Sequence, residues 1–184
     1  IDMNTGTGWP FGGPEVSIEE AASKAIFQTY EIEGGQEIVQ DINVADKKQQ
    51  PYSVLSRVMA YDGNGRCINL TSHVRKDKLE WKAPAGKWKV IALYNGKTRQ
   101  KVKRAAPGGE GYVMNHLSKS AVKSYLSRFD RAFKSSKTSY PHTFFNDSYE
   151  VYQADWTEDF LDQFARRRGY KLEEHFPEFL DESR

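Results

Sequence analysis

The period of the apolar residues changes along this chain, and that change limits what it can fold into. Over residues 26–105, apolar side chains recur at every second position in short runs broken by turns. From about residue 106 they recur at three and four, the spacing of an amphipathic helix. In "YSVLSRVMAY" and "RCINLTSHV" two such runs flank "DGNG" (62–65), a strong hairpin signal. "KLEW" and "KWKVIALY" flank "KAPAG" (82–86), which reads as a second hairpin. Within "KWKVIALY", Trp88, Val90, Ala92 and Tyr94 share one face while Ile91 and Leu93 keep the other apolar, as in a central strand. "TYEIEG" and "EIVQDINV" add two more strands, and the region reads as a small β-sandwich.

The flanks read differently. Residues 1–25 carry "GTGWPFGGP" and then "SIEEAASKA", where Ser17 and Glu20 have capping-box spacing. That pattern predicts a strand end, a loop and a short helix. Beyond residue 106, Val122, Leu126, Phe129 and Phe133 mark a helix with Ser118 or Ser120 as its cap. "PHTFFNDS" follows as a strand candidate. Thr157 is then placed to cap "EDFLDQFARRRG", with arginines in the last turn and Gly169 as the stop. Helix, strand, polar loop and helix in that order is the alternation of a parallel sheet or barrel. A closed eight-stranded barrel needs about 250 residues. The expected architecture is therefore α+β: residues 26–105 as a β-sandwich-like domain inserted between barrel segments 1–25 and 106–184. The abrupt opening at Ile1-Asp2-Met3-Asn4 agrees with a piece cut from a longer parent, whose remainder is its first expected partner.

Composition removes several functional classes. Among the 184 residues, 27 basic and 25 acidic side chains leave a net charge of +2, which offers no electrostatic footprint for nucleic acid. The cations of "ARRRGYK" are explained by the helix end they occupy. No apolar run approaches the ~20 residues of a membrane span. The single cysteine, Cys67, excludes an internal disulfide and reads as a small packed strand residue. His73, His116, His142 and His175 lack the H-x-x-x-H spacing of a metal site.

Chemistry concentrates in "FFNDSYEVYQADWTEDF" (144–160), where Asp147 and Glu150 stand three apart among Tyr149, Tyr152 and Trp156. Two readings fit. The loop either caps a strand end with solvated acids, or it is the rim of a sugar site, since glycosidic cleavage uses two carboxyl groups and pyranoses present C–H faces to aromatic rings. "APGGEGYVMNHLS" is a close-approach glycine loop from which Glu110 projects: a third rim acid or a plain crossing turn. Its glycine spacing is not that of a phosphate loop. Trp9 in "GTGWPFGGP" either lines a pocket or anchors its loop.

Together these three stretches resemble the barrel of glycoside hydrolase family 106, the α-L-rhamnosidases, in which a β-rich module interrupts the barrel. The resemblance implies that Glu150 is the general acid, kept protonated by a partly desolvated site, and that Asp147, Tyr152, Asp155 and Trp156 contact sugar, with Trp9 and Glu110 nearby. It implies an inverting mechanism whose base lies on a later strand beyond residue 184, about 6.5–9.5 Å from the acid. It also associates calcium with the site, Glu110 or Asp147 being the candidate ligands. The implied partner is an oligo- or polysaccharide, a rhamnose-containing glycan of plant or bacterial origin, and the implied location is outside a bacterial cytoplasm. The contrasting expectation is a non-catalytic carbohydrate-binding or scaffold module of a larger polysaccharide-degrading protein.

Overall fold

The computed structural model describes residues 9–143, 150–181 and 183. It is a mixed structure, mostly strands with few helices. In chain order these are β1 (Gly12–Gly13), β2 (Ser23–Glu33), β3 (Glu37–Asp41), β4 (Val54–Asp62), β5 (Cys67–Asn69), β6 (Val74–Arg75), β7 (Lys78–Lys82), β8 (Lys87–Lys97), β9 (Tyr112–Val113), α1 (Lys119–Ser136), α2 (Phe160–Arg168) and α3 (Phe176–Phe179). The chain divides into two compact units, Ile1–Lys24 with Lys97–Thr157, and Ala25–Gly96 with Glu158–Arg184.

The second unit holds two sheets, ordered β2-β8-β4-β5 and β3-β7-β6. Both turn apolar faces into one core: Ile32, Val58, Ala60, Trp88, Val90, Ala92 and Tyr94 from the first, Leu79 and Trp81 from the second. Trp88, Val90, Ala92 and Tyr94 do share a face, as their period predicts. Ile91 and Leu93 are fully buried on the opposite face of the same strand. β8 lies between β2 and β4, the interior position that a strand apolar on both sides requires. Against that sheet's other face lie a 3-10 turn at Leu172–His175 and α3. Phe27 meets Phe176 edge-on at 5.2 Å, and the Tyr61 hydroxyl donates to the Glu173 carbonyl. Burial pushes the Tyr61 phenol well above its ordinary range.

The "DGNG" hairpin forms as read. β4 and β5 pair antiparallel through Tyr61–Cys67, and the Asp62 carboxylate accepts from the Asn64 and Arg66 amides at 2.9 Å. The second expected hairpin does not. β7 pairs with β3 and β6, whereas β8 joins β2 and β4, so "KAPAG" carries the chain from one sheet to the other. The reason lies in Trp81 and Trp88, whose rings meet edge-on at 5.2 Å across the core. Burying both indoles outweighs pairing the two backbones directly. The tight hairpin of that region is β6–β7, with Lys76 and Asp77 both at positive φ (48° and 61°) in its two-residue turn.

In the first unit α1 starts where the sequence puts it, the Ser118 hydroxyl accepting from the Ala121 amide. Its apolar stripe of Ala121, Val122, Tyr125, Leu126 and Phe129 packs with Phe11, Val16 and Met114. The expected helix after Ser17 is absent. The Glu20 amide does reach Ser17 Oγ at 3.4 Å, but only a turn follows, and β2 begins at Ser23. Lys97 explains this: its ammonium takes the Glu19 and Ala21 carbonyls (2.7 and 3.3 Å), acceptors that a continuing helix would use itself. Thr157 does not cap α2 either. The N-cap is Asp159, while the arginine-rich last turn and the Gly169 stop are as expected. Most of the "PHTFFNDS" strand candidate lies outside the described residues.

Candidate active site

The site region is assembled on a short extended segment, residues 100–103. Its backbone bonds Trp9 on one side, Lys103 N to Trp9 O at 2.6 Å and Trp9 N to Lys103 O at 3.0 Å. On the other side Val102 N donates to Gly111 O and Val113 N to Gln100 O, each at 3.0 Å. Gly111 must be glycine for this approach, because a Cβ there would lie 1.9 Å from the Gly13 carbonyl oxygen. Alternation along the segment buries Val102 with Ala22 and Val113 and leaves Lys101 and Lys103 exposed.

Gln100 ties this segment to the acidic loop. Its Nε2 donates to the Glu150 carbonyl at 3.0 Å, and its Oε1 accepts from the Tyr152 amide at 2.8 Å. The carboxamide thus satisfies backbone groups on both sides of Val151, as a neighbouring strand would. Val151 and Ala154 add apolar contact to the Ala22, Val102 and Val113 cluster. Held this way, the Tyr152 hydroxyl donates to Glu150 Oε2 at 3.1 Å, and the Lys103 ammonium lies 4.9 Å from the Tyr152 ring centre. Glu150 is solvent-exposed, so the described residues do not themselves provide the desolvated setting expected for it.

Of the other expected site residues, Trp156 is 3% exposed. Its amide reaches the Ser23 carbonyl, and its own carbonyl accepts from Asn115 Nδ2 at 3.3 Å. Buried in that way, the indole anchors the end of the loop. Asp155 is exposed and Trp9 half-buried. Glu110 is turned to its own loop, Oε2 accepting from the Gly108 amide at 3.0 Å, and Gly108 has φ 82°. Asp147 lies outside the described residues. Glu150 and Tyr152 are therefore brought together directly, while Glu110 is not brought to them. Gln100, Asn115 and Lys103 escaped the sequence reading. The alternating buried and charged positions at 101–103 were the signal available for Lys103, and Asn115 lay within a quoted motif. Gln100 gave no local signal.

Calcium takes six to eight oxygen ligands. Among the described residues no group of three or more His, Cys, Asp or Glu side chains stands together, and the candidate ligand Asp147 lies outside them. Nor is any helix among them long and apolar enough to cross a membrane.

Three comparisons bear on this arrangement. The alpha-L-rhamnosidase family model, Glyco_hydro_106, matches residues 62–181. A protein of Formosa agariphila, provisionally named a beta-glucuronidase, is 35% identical over 115 residues, which are 60% of this chain and 10% of that protein. The solved rhamnosidase of Novosphingobium sp. PP1Y is similar at a TM-score of 0.52 and 29% identity, over 66% of this chain and 12% of that structure. The chain thus spans about a tenth of the length of the relatives it matches. With the family model covering well over half of its residues, the chain belongs to glycoside hydrolase family 106, the alpha-L-rhamnosidase family.

Proposed function

We propose that the parent of this chain is an inverting glycoside hydrolase acting on terminal α-L-rhamnosyl or similar linkages, with Glu150 as its general acid. The observation that carries this reading is the Glu150 carboxylate itself. It is exposed to solvent, with one oxygen engaged by the Tyr152 hydroxyl and its backbone carbonyl accepting from Gln100. An acid must be aimed as well as present, and these two bonds support that role for Glu150. Glu150 would protonate the departing glycosidic oxygen. A carboxylate elsewhere in the parent would deprotonate the attacking water, at the wider separation that inversion requires. Bound substrate and the rest of the parent would supply the desolvation.

In the same reading residues 1–25 and 106–184 contribute segments of a (β/α)8 barrel, and residues 26–105 are a β-sandwich-like domain inserted between them in the chain. Asp147 and Asp155 contact sugar hydroxyls, Tyr152 and Trp9 line the subsite, and Trp156 secures the loop. The substrate is an oligo- or polysaccharide encountered after export from a bacterium.

The test is hydrolysis by the full-length parent, with and without Glu150→Gln, of an aryl α-L-rhamnoside and of a rhamnosyl disaccharide. An aryl leaving group needs little protonation, so the expected loss is about 100-fold or more on the disaccharide and clearly less on the aryl substrate. Equal activity of variant and parent would demote Glu150 to a loop residue. A parent inactive across several glycosides would favour the non-catalytic, carbohydrate-binding reading.

A further inference from the structure

Lys101 and Lys103 face the same way from the 100–103 segment, and both ammonium groups are held by rings rather than by acids. Lys101 Nζ stands 3.2 Å from the Tyr112 ring centre, and Lys103 Nζ 4.9 Å from that of Tyr152. Among the described residues neither makes an ion pair. A ring face attracts a cation and holds it in place, yet leaves its charge and its N–H donors available to an anion. Tyr152 joins this pair to the candidate acid, since its ring carries Lys103 while its hydroxyl donates to Glu150. Two cations beside aromatic faces, without an ion pair among the described residues and one side chain away from a carboxyl that would meet the glycosidic oxygen, are poorly matched by a neutral sugar. They suit a sugar bearing its own negative charge.

We propose that the subsite next to Glu150 receives an anionic sugar, one carrying a carboxylate or a sulfate ester, with Lys103 as its principal contact and Lys101 as a second. This rests on the Glu150 loop being a sugar-binding rim, and it narrows the substrate to acidic glycans. The charge-assisted bonds form only with the anionic substituent, so Lys103 discriminates between glycans that are otherwise alike.

The experiment uses the full-length parent and three disaccharides with the same α-L-rhamnosyl group, linked to glucuronate, to glucose 6-sulfate or to glucose. Lys103→Gln is expected to lower kcat/KM about tenfold or more on whichever anionic compounds are preferred, and less than about twofold on the neutral one. Raising NaCl from about 50 to 500 mM should erode the same preference. Comparing the carboxylate with the sulfate ester identifies the anion. Equal losses on all three compounds, or none, would overturn the proposal. Calorimetric binding of the glucuronate and glucose compounds to the parent and to Lys103→Gln keeps the two readings separable. Lys103-dependent binding of the anion without any hydrolysis would sustain the subsite and sink the catalytic assignment. Binding that ignores Lys103 would sink the subsite, whatever the activity.

Discussion

Strands β4 and β8 pair from Val54–Asn95 to Asp62–Trp88 with a single register shift between Leu55 and Arg57, whereas the loop carrying Glu150 is tied to the 100–103 segment by the side chain of one glutamine. In the two-sheet core each residue is fixed many times over: by its ladder bonds, by the face it turns inward and by the rings across from it. In the site region the strands β1 and β9 are two residues long, and the contacts that matter run from side chain to backbone. The core therefore resists local change. The loop instead places an acid in solvent, its described part held by Gln100 and by the buried Trp156.

The largest effect that would break this contrast is expected in the core. Trp88 is 2% exposed, packs edge-on against Trp81 and donates from Nε1 to the Pro84 carbonyl at 3.0 Å. Trp88→Ala should cost about 3–5 kcal/mol, read as a lower urea midpoint at unchanged slope. A loss below about 1 kcal/mol would mean that the two sheets do not share one rigid core.

The next effect is smaller in stability and larger in consequence. Gln100→Ala removes two partly exposed hydrogen bonds and should cost about 1 kcal/mol. In the parent it should also slow the rhamnosyl disaccharide more than the aryl rhamnoside, because only the former depends on a well-aimed acid. Equal slowing of both would make Gln100 a general support of the fold rather than a positioning residue for Glu150.

The same contrast explains what could be read from the sequence. Where structure depends on neighbours in the chain, the residues announce it: Asp62 and Gly65 make their hairpin, Ser118 caps its helix, Gly169 ends one. Glu150 and Tyr152, two residues apart, likewise belong to a stretch that stands out. Where structure depends on distant partners, local signals mislead. "KAPAG" carries the glycine and proline of a turn, but a turn does not say which sheet the next strand joins, and Trp81 and Trp88 decide that. Ser17 forms its capping bond, yet Lys97, some eighty positions away, takes the carbonyls the helix would need. Lys76 and Asp77 accept left-handed backbone without any glycine to mark it. Gln100 is fifty residues from the loop it fixes, and nothing in "TRQK" points there.

A finer probe of the site region uses pH. His116 follows the buried Asn115 at the approach to α1, and burial holds its imidazole below the ordinary value of 6.5. In the unfolded chain the imidazole regains that ordinary value. Between the folded value and 6.5 the unfolded state therefore binds more protons, and stability falls as the pH is lowered through this window. Above 6.5 both states are neutral and the contribution is fully present. Below the folded value both are charged, and the slope vanishes again. His116→Gln should flatten the urea midpoint between pH 6.5 and the folded value relative to the unsubstituted chain, and leave it unchanged above pH 7. The change should be smaller than that from Gln100→Ala, because the ring is only half-buried and water screens the charge it gains. A variant whose midpoint follows the parent's pH curve throughout would show that the imidazole is as well solvated in the folded chain as in the unfolded one. The approach to α1 would then be as open as the Glu150 loop, and the boundary between fixed and exposed parts of this unit would lie before residue 116 rather than after it.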